Sequence, residues 1–241
     1  MLNLLRKQIV LAAALLLIVL SSSAQYKEQN RPNHDNWPYY FGMTLAYSQS
    51  YLHPNGRHPK FLADDSVLLA EPGSSGGISL GLLATLNLSR RFEVRANPQL
   101  IIGGSKFFSY KLTHPNEEGL TDVKMTLPST IVSFPFHVKF NSDRIDNFRV
   151  YMMAGVKYDL DLASNSKARN AENMVKLKGG DYGVEAGIGF NFYLPFVTFS
   201  PEIKISNGLG NVHSRDANLK YSNIFDKLQS RQIVFSIHLE D

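Results

Sequence analysis

The sequence predicts an all-β fold: an eight-stranded antiparallel up-and-down transmembrane β-barrel with short periplasmic turns and long outer loops. Three observations carry the prediction. Apolar and polar residues alternate with a period of two through eight segments, the pattern of strands with two unlike faces. The connections between those segments alternate long and short, the asymmetry of outer-membrane barrels. The chain opens like an exported protein, and nothing after the opening is apolar enough for a spanning helix, which needs about 20 apolar residues.

The opening holds Arg6 and Lys7, an apolar run from Ile9 to Leu20, and then Ser21-Ser22-Ser23-Ala24. A positive start, a short apolar middle and small residues at positions −3 and −1 predict a secretory signal over residues 1–24, cut between Ala24 and Gln25. With no cysteine in the chain, a cysteine-linked lipid anchor, a disulfide framework and thiolate zinc sites are excluded. Beyond residue 24 the basic excess is two charges, 23 against 21. No basic stripe marks a nucleic-acid partner. The remaining length suits one domain, divided as a periplasmic N-terminal arm over 25–39 and the barrel over 40–241.

The arm, polar and rich in turn formers up to Pro38, reads as extended. Trp37, Tyr39 and Tyr40 follow, placed as amphipathic rings at a membrane interface. The first strand runs from about Tyr40 to Ser48, with Phe41, Met43, Leu45 and Tyr47 on the lipid side. After a long loop over 49–76, the second covers Gly77 to Ser89 and sets Ile78, Leu80 and Leu82 against Ser79, Gly81 and Leu83. A tight turn at Arg90-Arg91 leads to the third, Phe92 to Ile102. The next connection is long, and its Phe107–Thr113 stretch reads as an extension of the hairpin beyond the membrane. The fourth strand sets Val132, Phe134, Phe136, Val138 and Phe140 outward, and a polar turn leads to the fifth, Phe148 to Leu162. A polar loop over 164–180 precedes the most regular hairpin, Asp181 to Ser206. Across its turn Gly187 falls opposite Lys204 and Gly189 opposite Glu202, small facing large as in the interior of a narrow barrel. The eighth strand, Gln232 to Leu239, follows a fourth long loop. Both termini then fall on the periplasmic side of an integral outer-membrane protein. Pro98, Pro135 and Pro201 stand inside strands, where each should cost a ladder bond and where bulges would absorb them.

The inward faces carry Glu93, Arg95, His137, Lys139, Lys157, Asp159, Asp161, Glu185, Glu202, Lys204 and His238. Eight strands enclose a space that side chains fill, and both signs are present, so this set reads as a mutually paired polar plug; a gated path is the alternative. His53, His58, His114 and His213 fall in outer loops, with Asp64 and Asp65 near two of them. No catalytic or metal-binding spacing organises them, so they read as solvated loop residues. No catalytic residue, metal site or cofactor is indicated.

Five stretches carry a resemblance: R-P-N-H-D-N-W-P-Y-Y-F-G (31–42), A-D-D-S-V-L-L-A-E-P-G-S-S-G-G (63–77), R-F-E-V-R-A-N-P-Q-L-I (91–101), S-F-P-F-H-V-K-F (133–140) and F-S-P-E-I-K-I-S-N-G-L (199–209). Together they resemble the PorT family, the small outer-membrane barrel component of the type IX secretion system of Bacteroidota. The resemblance implies a non-enzymatic role in exporting cargo with C-terminal sorting domains. It also implies that the N-P-Q, F-P-F and S-P-E prolines are family features. The partners expected are outer-membrane lipid and, by the resemblance, other type IX components. Two further readings stay open: a surface adhesin or receptor working through its long loops, and an enzyme at the outer rim.

Overall fold

The computed structural model describes residues 28–57, 67–116, 119–164, 175–214 and 224–241. The predicted signal, the cleavage pair Ala24 and Gln25, and His58, Asp64 and Asp65 lie outside the described residues. Described elements are the 3-10 turn His34–Asn36 and twelve strands: β1 (Tyr39–Arg57), β2 (Val67–Gly73), β3 (Ser75–Asn87), β4 (Phe92–Ala96), β5 (Gln99–Gly103), β6 (Lys106–Leu112), β7 (Asp122–Leu127), β8 (Thr130–Asn141), β9 (Phe148–Asp161), β10 (Gly180–Tyr193), β11 (Thr198–Gly208) and β12 (Phe225–Glu240).

Nine of these strands close into one antiparallel ring. β1 pairs with both β12 and β3, and the sheet continues through β11, β10, β9 and β8 back to β4 and β5. β4 and β5 are two halves of one stave, so the ring has the eight predicted staves. Its outer face in the spanning zone is apolar: Phe41, Met43, Leu80, Leu82, Phe136, Val156, Ile205 and Phe235 are all exposed. Their non-glycine partners in the alternation point inward and are buried. The connections at 88–91, 142–147 and 194–197 are short and share one end with both termini of the described chain.

The strands run further than the sequence pattern suggests. β1 continues from Ser48 to Arg57 because β12 extends with it, Tyr51 pairing with Arg231 and Asn55 with Lys227. Along the way the inward row changes character. Thr44, Ser48 and Ser50 on β1 give way to Leu52, and Gln232 and Ser230 on β12 give way to Leu228. Above the apolar outer belt the sheet no longer faces lipid, so its interior can take an ordinary apolar core. Leu52 and Leu228 join Val67, Phe108, Leu127 and Val212 in a buried cluster that fills the loop end.

β6 does not extend the barrel hairpin. Gly103 and Gly104, with φ of 83° and 70°, use a conformation open to residues without a Cβ and turn the chain out of the barrel sheet. β6 then pairs with β2 and β7 in a separate three-stranded sheet over the loop end.

The in-strand prolines are not accommodated by bulges. Ala96 pairs with Phe136 and Gln99 with Ser133, so the same register continues on both sides of Asn97-Pro98 and of Pro135. The pairing of β10 with β11 likewise resumes unchanged from Gly189–Glu202 to Phe192–Phe199, on either side of Pro201. Each ring removes a donor and opens the ladder locally. The carbonyls remain in use: Pro98 accepts from the Leu82 amide at 3.0 Å and Pro135 from the Asn97 amide at 3.2 Å. Two of the three prolines thus share a single opening between β4/β5 and β8.

Candidate functional site: a filled lumen closed at both ends

The inward rows of the barrel bring ten of the eleven predicted plug residues into buried positions. Nearest the short-turn end, Lys139 lies 2.9 Å from Glu93, and Tyr40 donates to the same carboxylate at 2.9 Å. Tyr40 is therefore not an interface ring, as the sequence suggests. The alternation places it on the inward row, and it is 4% exposed. Trp37 and Tyr39 do lie on the outside.

Arg95 forms the centre of the next tier. Its two terminal nitrogens contact Glu202 at 3.0 Å and Glu240 at 2.6 Å. Glu202 also accepts from Tyr151 at 2.8 Å and lies 3.4 Å from His238. The other ring nitrogen of His238 is 2.8 Å from the Thr44 hydroxyl. The tyrosine ring of Tyr151 stands between cations, 4.2 Å from Lys139 and 5.4 Å from Arg95. It fits because Gly189 faces it: a Cβ at 189 would lie 2.3 Å from that ring. The small-opposite-large pattern is present at Gly187 and Lys204 too.

Further along, Glu185 is held between His137 at 2.7 Å and Lys204 at 2.9 Å. Lys157 pairs with Asp159 at 2.5 Å, and Ser133 donates to the same aspartate. Burying a charge is tolerable only when it is paired and hydrogen-bonded, and this stack supplies such partners both within and between neighbouring staves, as for Lys157 and Asp159, and across the lumen, as for Arg95 and Glu202. Asp161 departs from the prediction. It is half-buried at the loop end and accepts from Ser129 and from the amides of Thr130 and Ala163. Its task is to tie down backbone at the rim.

Several lumen residues were missing from the predicted set. Glu240 and Asp181 extend inward rows and were findable by counting two residues on. Asp181 accepts from the Ser230 hydroxyl. Lys106 is buried beside Asp159, Asp161 and Asp181, but it comes from β6, and no barrel periodicity points to it. His213 is buried against Phe225 rather than solvated, while His114 is exposed. Among the described residues no three potential ligands gather as a metal site.

The short-turn end is closed by the arm, which is folded back rather than extended. Asn30 bonds Asn147 and the Tyr193 carbonyl. Arg31, at a φ of 51°, reaches Thr198 and the Glu240 carbonyl. Asp35 lies 3.1 Å from Arg149, and Arg144 stacks on the Tyr193 ring at 3.7 Å and donates to the Asn30 carbonyl. His34 is 5% exposed inside a box of Trp37, Tyr40 and Tyr193, with one ring nitrogen 2.8 Å from the Asp241 carbonyl. Burial lowers its pKa below the ordinary 6.5, against the opposing pull of that carbonyl.

A known family agrees with this architecture. The family model of the outer membrane protein beta-barrel domain matches residues 24–214. Among solved structures, OprG of Pseudomonas aeruginosa is 16% identical, with 89% of this chain and 96% of that one covered and a TM-score of 0.40. Ail, the attachment invasion locus protein of Yersinia pestis, solved with the heparin analogue sucrose octasulfate, is 10% identical over 85% and 100% of the chains, at 0.39. Neisserial surface protein A is 10% identical over 82% and 95%, also at 0.39. No curated protein matches. The family match covers most of the chain, and the closed ring with its apolar outer belt agrees with it: the chain belongs to the outer membrane protein beta-barrel domain family and is an integral outer-membrane barrel.

Proposed function

We propose that this barrel is a sealed, non-enzymatic component of the type IX secretion system, needed for export of cargo with C-terminal sorting domains. The observation that carries the non-conducting part of this reading is the lumen. It is filled by ion pairs from the arm to the apolar cluster, with Arg95 and Lys204 each 1% exposed. A barrel filled in this way serves as an anchor whose work is done by its two ends. The secretion role rests on the five stretches that resemble the PorT family. In this reading the short turns, the folded arm and both termini face the periplasm, and the β2–β6–β7 sheet faces outward.

Deleting the gene tests the role directly: sorting-domain cargo should accumulate in the periplasm and return to the surface on complementation. Normal surface delivery in the deletion strain would sink the proposal. A pull-down from mild detergent, with a tag placed after residue 24, should recover other type IX components.

The outer sheet favours a second reading, that of a surface receptor or adhesin. Leu68, Leu69 and Leu120 are exposed near it, and a groove of about 190 Å³ runs beside Leu69, Tyr110 and Val123. Variants lacking β7 that secrete normally but lose surface binding would decide for that reading.

A further inference from the structure

The outward row of β12 ends its apolar run early. Leu239, Ile237, Phe235 and Ile233 are exposed on the lipid side, and the next outward residue is Arg231. Those four positions span roughly 15 Å of height once the strand is tilted, well short of the ~25 Å apolar band of an outer-membrane barrel. On β9 the same row stays apolar from Phe148 to Leu162, over twice as many positions. Arg231 stands about 20 Å above Leu239 by the same spacing, at the upper margin of the band and not clear of it.

Polar groups gather around it. Arg231 pairs across the ladder with Tyr51, and the next outward positions set His53 beside Gln229 and Asn55 beside Lys227. Tyr51, His53, Lys227 and Arg231 are all half-buried. The outward positions from Gln49 to Asn55 and from Arg231 to Lys227 hold no carboxylate. Among the described residues neither Arg231 nor Lys227 has an ion pair. The outward rows of β8, β9, β10 and β11 reach the loop end at Thr130, Leu162, Gly180 and Leu209, with no cation. The lumen pairs its charges, whereas this one seam of the outer wall leaves two cations without an anion.

We infer that Tyr51, His53, Lys227 and Arg231 form a binding site for the phosphorylated sugar headgroup of an outer-leaflet glycolipid. A cation on the lipid face is costly unless it reaches the interface or meets an anion. At the margin of the hydrocarbon the anion a bilayer offers is a headgroup phosphate, which a guanidinium holds by two charge-assisted hydrogen bonds. The height of the site selects the kind of headgroup. From Arg231 to Lys227 is four residues, about 13 Å along the strand. A glycerophospholipid carries its phosphate at one level and would engage Arg231 alone. A phosphorylated sugar headgroup continues upward and presents anionic groups and hydroxyls to His53, Asn55 and Lys227 as well. The leaflet rests on the orientation proposed above, in which the long loops face outward; the phosphate chemistry does not.

The test reads lipid retained by the full chain in detergent micelles, using native mass spectrometry. The probes are bisphosphorylated lipid A, the same lipid with both phosphates removed, and phosphatidylglycerol. The expected result is several-fold greater retention of the phosphorylated lipid A than of either other probe. Arg231→Gln with Lys227→Gln should reduce it to the level of the dephosphorylated form. Lys111→Gln with Lys124→Gln, which removes the same charge from the β2–β6–β7 sheet, should leave it unchanged. Retention of the heat-modifiable folded band shows that each variant is intact. If the Arg231 and Lys227 variant does not fold, the comparison of the two lipid A forms on the native protein decides alone. Equal retention of those two forms would overturn the site, as would an equal loss in the Lys111 and Lys124 variant. Equal retention of phosphatidylglycerol would overturn the sugar-headgroup assignment. In whole cells, a photo-crosslinking residue at Gln49, one outward position below Tyr51, should capture glycolipid. Capture of glycerophospholipid there would overturn the leaflet and the orientation together, leaving the secretion assay to judge the function separately.

Discussion

Arg95 lies 2.6 Å from Glu240, joining the interrupted third stave to the last residue but one of the chain. The same guanidinium holds Glu202, so one side chain ties three staves across the lumen. Removing one partner of a buried pair costs about 3–5 kcal/mol, because the other charge remains buried without it. Arg95→Ala leaves two carboxylates facing each other and should lower the unfolding free energy of the barrel by an amount in that range, read from the denaturant midpoint and slope. Arg95→Met with Glu202→Gln and Glu240→Gln should recover much of the loss. An Arg95→Ala barrel as stable as the parent would show that the network is dispensable.

A second prediction concerns Gly155. A Cβ there would sit 1.9 Å from the Phe136 carbonyl oxygen, which is backbone of the neighbouring stave and has little freedom to move. Gly155→Ala should therefore destabilise the barrel by at least the ~1–3 kcal/mol typical of overpacking. Gly119→Ala, where a Cβ would meet nothing within 4 Å, should cost less; its φ of 77° confines that cost to local backbone strain. Unfolding in urea from detergent micelles measures both.

The third prediction is a pH dependence. Burial holds the pKa of docked His34 below 6.5, so the docked arm resists a proton that the released arm accepts. Above the ordinary value the imidazole is neutral in both states and docking is at full strength. As the pH falls through 6.5 towards the lowered value, docking weakens. Hydrogen exchange of the Asn30–Trp37 amides should quicken in that window while the β10 amides stay protected. His34→Phe, which keeps a ring in the aromatic box but cannot titrate, should abolish the pH step.

A fourth prediction separates the two plugs. Phe108 is fully buried in the loop-end cluster and packs tilted against Phe225, with ring centroids 4.6 Å apart. Phe108→Ala should cost about 3–5 kcal/mol locally and expose the β2–β6–β7 sheet to protease, leaving the spanning staves protected. In planar bilayers neither this variant nor one lacking residues 25–37 should conduct, because the ion-paired tiers remain. Discrete conductance steps from the intact protein would contradict the filled lumen.

The eight staves were legible in the sequence because the bilayer imposes a simple rule. One face of each strand must be apolar, and a period of two reveals it from Phe41 through Leu239. The rule ends where the membrane ends. Beyond Ser50 and Ser230 the inward row turns apolar, so the pattern that defined β1 and β12 in the spanning zone no longer extends them. β2 and β6 belong to a sheet held by tertiary contacts, and Lys106 enters the lumen from there. The arm was unreadable for another reason. Its short polar side chains act through specific partners far along the chain, such as Asn147 and Asp241, and no local pattern encodes them. Tyr40 was misplaced by its residue type, although its own alternation with Phe41 pointed inward.

The pairing of lumen charges across distant staves has a consequence for biogenesis. Arg95 on β4 finds its carboxylates on β11 and β12, and His137 on β8 finds Glu185 on β10. A lone hairpin passing into the bilayer would carry these groups uncompensated. A single lysine or arginine facing lipid at the midplane already costs about 2–4 kcal/mol. Some pairs, such as Glu185 with Lys204, close within one hairpin, but Arg95 would stay without its Glu240 partner until the last strand arrives. The nascent chain must therefore gather its staves into a nearly closed cylinder before or while it crosses the hydrocarbon, with the C-terminal strand as the step that completes charge neutrality.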